Sequence, residues 1–368
     1  MATTSYGVNH ALAVKLWAKR LFHEALKETR YEQFKGRTGT DSLITLKSET
    51  QKSAGDRIRV GLRMQLTGAG ISGDSTLEGN EEALVTYSDD LFIDQLRHAV
   101  RSGGKMSEQR VPFSVREEAM MGLKDWWADR MDVAMFNQLA GATTQQIQAN
   151  GVNSASTDTK YSGMQAAIAP TADRLFSSSN GVENTTEASL SATTTFAFKL
   201  ADIDRAVAKA KTATPAIRPL SVNGDKKYVC FIHPNQTYQL RKDTATGNWQ
   251  DIEKAKLNGG KIGDNPIITG LLGVYNNTLL VEDVRVPHVS TTVTSSTSYR
   301  RAIFCGAQAA LIGFGQDNSE GEMKWVEELF DYENQLGVSA GMIWGLKKTV
   351  FNSTDFGTIV VSSYAPAA

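Results

Sequence analysis

The chain has 368 residues, with 39 Lys or Arg against 40 Asp or Glu and a formal net charge of −1, which excludes a protein that grips nucleic acid through bulk positive charge. Apolar content of 41% and charged content of 21% exclude a disordered chain and leave ample core for two ordinary domains or one elaborate one. Two cysteines, Cys230 and Cys305, lie in apolar runs without His at ligand spacing, so buried reduced thiols are expected, with no disulfide framework, metal or cofactor.

The opening Met-Ala-Thr-Thr-Ser-Tyr lacks a basic-then-apolar leader, and no run reaches membrane-spanning length. Synthesis and residence in a cytoplasm are expected, with no membrane partner. Residues 9–34 read as an amphipathic helix, with Ala11, Val14, Trp17, Leu21, Ala25 and Leu26 on one face and Gly36 as a stop. Trp17 is a candidate assembly contact on that face. Residues 1–37 carry seven Lys or Arg against three Glu, and residues 37–56 read as an irregular tether.

A long β-ribbon is predicted between Arg57 and Arg101. Ile58, Val60, Leu62, Met64 and Leu66 alternate with Arg57, Arg59, Arg63 and Gln65, and a Gly-rich turn follows. Apolar residues return along Leu84–Tyr87 and Leu91–Leu96. From Met64 to Leu96 there is no Lys or Arg, but there are seven carboxylates: Asp74, Glu78, Glu81, Glu82, Asp89, Asp90 and Asp94. An isolated two-stranded ribbon is marginal in water, so an apolar-faced one needs a surface and an acidic tip needs a basic one. The candidate assembly contacts here are Arg57, Arg59, Arg63, Asp74, Glu78, Glu81 and Glu82, against a neighbouring copy of the chain.

Ser114-Val-Arg-Glu117 has the form of a capping box, and Gly141 of a C′ residue, which bounds a helix over 115–140 with Leu123, Trp127, Met131, Met135 and Leu139 on its apolar face. Its length would be about 39 Å, suited to a strut. Residues 142–198 are about one-third Ser and Thr and read as an insertion over the outside or across a subunit contact. Leu200–Lys211 reads as a short helix. Ile217–Val222 and Tyr228–Ile232 flank Asn223-Gly224 as a hairpin, and another short helix follows His233-Pro234. Further strands are expected at Ile267–Thr269, Thr278–Asp283, Val286–Thr292 and Arg301–Cys305, then strands with Gly turns over Met323–Val361. Strands and helices are segregated, so the class is α+β.

Two motifs imitate chemistry. Gly68-Ala-Gly70-Ile-Ser-Gly73 matches a dinucleotide fingerprint, but an acidic loop follows in place of a helix N-terminus. Gly337-Val-Ser339-Ala-Gly341 matches a nucleophile elbow, but all five histidines (His10, His23, His98, His233 and His288) precede Ser339, whereas that fold needs its base after the serine. No nucleophile, base and oxyanion site assemble, so no enzyme is expected.

Gly73-Asp-Ser-Thr-Leu-Glu-Gly-Asn-Glu-Glu-Ala-Leu84 resembles the signature loop of the N-four-type major capsid proteins of tailed bacteriophages. The same family is resembled by Val222-Asn-Gly-Asp-Lys-Lys-Tyr-Val-Cys-Phe-Ile-His-Pro-Asn-Gln236, Gly306-Ala-Gln-Ala-Ala310, Asp331-Tyr-Glu-Asn-Gln-Leu-Gly337 and Gly345-Leu-Lys-Lys-Thr349. The resemblance runs in order from about residue 60 onward. It implies a Hong Kong-type capsid fold: an N-terminal arm (1–50), an extended loop (51–105), a peripheral domain with the spine helix and the Ser/Thr-rich insertion (106–199), an axial domain (200–315) and a C-terminal return to the peripheral domain (316–368).

The implied function is non-catalytic self-assembly, through pentamers and hexamers, into the icosahedral head shell around double-stranded DNA. The place is the virion capsid, assembled in the bacterial host cytoplasm. No long coiled N-terminal segment is present, so a separate scaffolding protein is expected, with a portal and a decoration protein as further partners. Contact with packaged DNA would be weak and salt-sensitive, the basic residues of 1–37 being its first candidate. A nanocompartment shell of the same fold is the alternative, and a serine hydrolase acting through Ser339 a more distant one.

Overall fold

The computed structural model describes residues 30–37, 42–47, 55–110, 114–149, 152–156, 158–178, 187, 190, 194–222, 224–242, 271–288, 299–315 and 323–366. In chain order, a 3-10 turn at Tyr31–Phe34 leads into β1 (Lys35–Gly36), β2 (Ile44–Lys47), β3 (Arg57–Arg63), β4 (Thr86–Phe92) and β5 (Asp94–Arg101). Helices α1 (Lys105–Gln109) and α2 (Val115–Ala140) follow, then the hairpin β6 (Gln145–Ala149) and β7 (Val152–Ser156), and β8 (Leu175–Ser177). After α3 (Leu200–Thr212) come β9 (Leu220–Val222), β10 (Asp225–Ile232), α4 (Pro234–Lys242), β11 (Leu271–Tyr275) and β12 (Thr278–Glu282). The chain closes with β13 (Tyr299–Cys305), β14 (Ala310–Phe314), β15 (Lys324–Phe330), β16 (Gln335–Lys348), β17 (Val350–Phe351), β18 (Thr354–Asp355) and β19 (Thr358–Tyr364).

Two sheets carry the architecture. One runs β1-β2-β14-β16-β15, with β5 on the other edge of β16; the second runs β11-β12-β10-β13-β19-β8, with β9 attached to β10. Helix α2 links them. Its apolar stripe (Leu123, Trp127, Met131, Met135) is buried with Trp325, Met342 and Trp344 of the first sheet and Phe231 and Ile303 of the second. Phe136 meets Phe231 edge-on at 5.4 Å between ring centroids, and Phe34 meets the same ring at 5.1 Å. Helix α3 covers the far side of the second sheet through Ile203, Val207 and Ala210.

The predicted bounds of the long helix hold because local chemistry sets them. Ser114 Oγ accepts from the Glu117 amide, and Gly141 takes the left-handed conformation (φ 60°) that ends the helix. Arg301 secures the same end. Its guanidinium donates to the carbonyls of Ala140 and Gly141 and forms a bidentate pair with Glu187, at 2.7 and 2.6 Å. The hairpin around Gly224 (φ 87°) and helix α4 after His233 also form where expected.

Several expectations need correction. The tether over 37–56 contains a strand: Ile44–Lys47 adds in parallel to β14, with Leu43 and Ile44 fully buried. Gly36, paired in β1, follows a 3-10 turn that ends at Phe34. Of the helix over 9–34, only the 3-10 turn falls among the described residues; the rest, Trp17 included, lies outside them. Ile267–Thr269 also lies outside. The strand over 286–292 is reduced, where described, to one bridge from His288 to Arg300. The Ser/Thr-rich span contributes the β6–β7 hairpin and β8, which pairs in parallel with β19.

Candidate assembly surface

The ribbon is β3 against β4, in register from Arg57 opposite Phe92 to Arg63 opposite Thr86. It is shorter than expected, because the chain turns at Ile93 and residues 94–101 join the first sheet as β5 along β16. Nor is its base unsupported. Ile58 and Leu91 are buried with Leu311, and the ribbon crosses the sheet above a cross-strand pair of glycines, Gly313 and Gly345. A Cβ at Gly313 would stand 3.0 Å from Ile58 Cδ1 and 3.1 Å from Leu91 Cδ2, and one at Gly345 would overlap the Phe92 carbonyl. Only side-chain-free positions permit so close a crossing.

Polar bonds fix the direction of exit. The Ile93 amide donates to Asp56 O at 2.9 Å. Asp89 accepts from Lys347 Nζ and from the Val350 amide, while Lys347 Nζ also donates to Asp90 O at 2.9 Å. Because Gly345 and Lys347 follow one another toward the C-terminal end of β16, the ribbon leaves past that end. Asp89 entered the sequence reading only as one of seven carboxylates, and Gly345 and Lys347 only within a resembling stretch; none of them, nor Gly313, was a candidate contact. The glycines did carry a signal, each being isolated inside an apolar strand (Leu-Ile-Gly-Phe and Ile-Trp-Gly-Leu).

Outward from the base, the apolar face is progressively uncovered. Val60 and Leu62 are half-buried, whereas Leu66 (57%), Leu77 (60%), Leu84 (57%) and Val85 (48%) are exposed. On the opposite face Arg59 makes a bidentate cross-strand pair with Asp90 at 2.7 and 2.9 Å, which holds that carboxyl below the usual range. Arg57 stands 4.1 Å over the Phe92 ring and 3.6 Å from Asp90. Arg63 is exposed, and among the described residues no carboxylate pairs with it.

The acidic residues at the tip divide into two kinds. Glu82 accepts from the Thr67 amide (2.8 Å), the Gly68 amide (2.7 Å) and the Thr67 hydroxyl (3.2 Å), closing the neck of the loop; the two amide bonds, Thr67 first, lower its pKa. Glu81 accepts from the Gly79 amide at 2.8 Å. Asp74 and Glu78 are exposed with no partner among the described residues. Glu82 thus fills the amides with which the glycine motif would have met a phosphate, and no helix follows them. Ser339 lies within β16 and donates to Val326 O at 3.2 Å, with none of the strand-to-helix turn that an elbow requires.

Cys230 and Cys305 sit on neighbouring strands as buried free thiols, and burial pushes Cys230 up to about 12. Among the described residues no group of His, Cys, Asp or Glu could hold a metal ion, and no helix is long and apolar enough to cross a membrane.

The family model described as phage capsid protein matches residues 4–367. A major capsid protein of Pseudomonas phage KPP25 is 28% identical over 366 residues, covering 94% of this chain and 93% of its own. The capsid of Ralstonia phage GP4 superposes with a TM-score of 0.78 at 32% identity, over 100% of this chain and 99% of that one. The capsid asymmetric unit of cyanophage Pam1 shares the fold, with a TM-score of 0.72 at 20% identity over 100% and 95%. With its α+β sheets, spine helix and Hong Kong-type fold, the chain belongs to the phage capsid protein family: it is a major capsid protein, a structural subunit that builds the virion shell of a tailed phage together with many copies of itself.

Proposed function

We propose that the β3–β4 ribbon and its loop form the arm that joins one subunit to the next around closed pentamers and hexamers. The carrying observation is the row of leucines at Leu66, Leu77 and Leu84, exposed on a loop whose strands rest on the body only at their base. Burying these three and Val85 on a neighbour, each from about half exposure, contributes about 1 kcal/mol per side chain, or about 4 kcal/mol per ribbon. A head-to-tail contact of this kind closes into a ring when the rotation permits. Asp74 and Glu78 supply charge for register against a basic surface, as Arg63 does against an acidic one. Arg57, Arg59, Glu81 and Glu82 already hold bonds inside their own ribbon, so their part is to shape the arm.

The assembled shell is icosahedral and encloses double-stranded DNA, with a separate scaffolding protein, a portal and a decoration protein as partners. The arm (1–50, with Trp17), extended loop (51–105), peripheral (106–199 and 316–368) and axial (200–315) divisions describe how the subunit is laid out in that shell. Catalysis has no part in this role. The test is a Leu66→Ser, Leu77→Ser, Leu84→Ser triple variant. The expected result is a folded subunit with an unchanged thermal midpoint and at least a tenfold loss of closed particles by electron microscopy. Wild-type particle yield would overturn the proposal.

A further inference from the structure

One face of β16 stays open beside the ribbon base. Arg97 of β5 and Lys324 of β15 stand opposite Gly341 from either side, and Ala99, Ser339 and Val326 align in the next row. The stem of Arg97 folds over Gly341, its Cγ 2.8 Å from where a Cβ would stand, and beside it, where Ser339 is small, a groove of about 300 Å³ opens, continuing to Ile343, with Glu328 among its lining residues. Arg97 and Lys324 are exposed, and among the described residues neither has a carboxylate within ion-pair distance. Val326 on the groove wall is 41% exposed.

The two cations are separated by two strand spacings, about 9–10 Å between backbones. Two carboxylates four residues apart in an extended segment span about 13 Å, within reach of those side chains. Asp74-Ser-Thr-Leu-Glu78 has that spacing, and in an extended segment Thr76 shares the face of the two acids and so lies over the row of Ser339. A subunit's own segment is carried elsewhere, since the ribbon leaves over Gly345 and Lys347, away from Gly341.

Taking the ribbon as the assembly arm, we infer that the groove along Ser339 and Ile343, bordered by Arg97 and Lys324, receives the segment 74–78 of a second copy of this chain. Arg97 and Lys324 are then specificity-determining residues of the contact. Arg97→Glu with Lys324→Glu lowers particle yield at least tenfold while the subunit keeps its thermal midpoint, and adding Asp74→Lys with Glu78→Lys restores particles. In particles of a Thr76→Cys, Ser339→Cys variant, oxidation gives a ladder of disulfide-linked subunits on a non-reducing gel; the two native thiols, being buried, contribute no background. Normal assembly of the Arg97/Lys324 variant, failure of the compensating pair to rescue it, or oxidised particles without a ladder would each overturn the groove assignment. The ribbon reading fails on a separate result, wild-type assembly of the triple leucine variant, and survives if only the ladder is missing.

Discussion

Gly345→Ala tests whether the ribbon's direction, and not merely its presence, matters for assembly. The added methyl would overlap the Phe92 carbonyl and lie 3.2 Å from Ile93 Cα, both backbone atoms with no rotamer to relieve the clash. Phe92 has to move by about 1 Å or more, at a cost of about 3 kcal/mol. In a chain of this length that lowers the thermal midpoint by about 4 °C. Asp89 remains held by Lys347 and Val350, so the shift becomes a tilt across the ~10 Å between residues 89 and 92, or about 6°. Thr86, at the far end of β4, lies another ~10 Å past Asp89, so it swings by roughly 1 Å and the leucines beyond by more. A gap of even 1 Å forfeits up to about half of a dispersion contact. Gly61→Ala is the control: it lies in the same ribbon, where the nearest atom to its Cβ, Tyr87 O, is 3.9 Å away. By differential scanning fluorimetry and particle counts, the Gly345 variant should fold with a lowered midpoint and assemble poorly, and the Gly61 variant should match wild type. Equal assembly by both would refute the idea that the glycine pair aims the arm.

Three further outcomes are expected. Burial, with Arg300 and His288 alongside, pushes His233 down to about 3, so the fold holds it neutral. Its contribution is complete above the ordinary value near 6.5 and is lost as pH falls from there toward 3. His233→Asn keeps an acceptor for the Asn235 amide and should flatten the pH dependence of the thermal midpoint across that window; an unchanged slope would count against it. Glu82→Gln should speed amide hydrogen exchange over residues 64–85 at neutral pH without shifting the global midpoint. The wild-type loop should loosen in the same way only in acid, because its lowered carboxyl loses its bonds as pH falls through that value; equal protection in both proteins at neutral pH would remove the neck closure. Arg301→Met strands buried Glu187 and the α2 carbonyls, a loss of about 3–5 kcal/mol by chemical denaturation, and adding Glu187→Gln should recover part of it.

What was legible in the sequence was local. Ser114 and Gly141 bound α2 because a cap and a left-handed residue act within one helical turn, and Asn223-Gly224 marks a hairpin because the turn itself demands those residues. The alternation from Ile58 to Leu66 revealed a strand with one apolar face. Its end at Phe92 was hidden, since apolar residues continue through Leu96 and the same pattern serves a free ribbon and a sheet strand equally well. Ile44–Lys47 was hidden for a different reason: four residues among polar neighbours become a strand only through β14, far along the chain. Glu82 was visible as a charge, but a carboxylate turned inward on two amides reads in sequence like one turned outward to a partner.

That reversal of Glu82 changes how the acidic tip works. Had all the carboxylates faced a neighbour, the loop over 64–85 would have to be ordered at the moment of contact, at roughly 1–2 kcal/mol of backbone entropy per residue, which the leucines could not offset. With Glu82 closing the neck and Glu81 bonded to Gly79, much of that ordering precedes contact. The base adds direction through Asp89, Lys347 and the paired glycines. A modest apolar gain of about 4 kcal/mol per ribbon is then enough to act, because an arm already shaped loses little freedom on docking. On the proposed docking, assembly specificity falls to the groups without an ion-pair partner among the described residues, Arg63, Asp74 and Glu78 on the arm and Arg97 and Lys324 on the sheet, where reversing a charge should alter partner choice while leaving the fold intact.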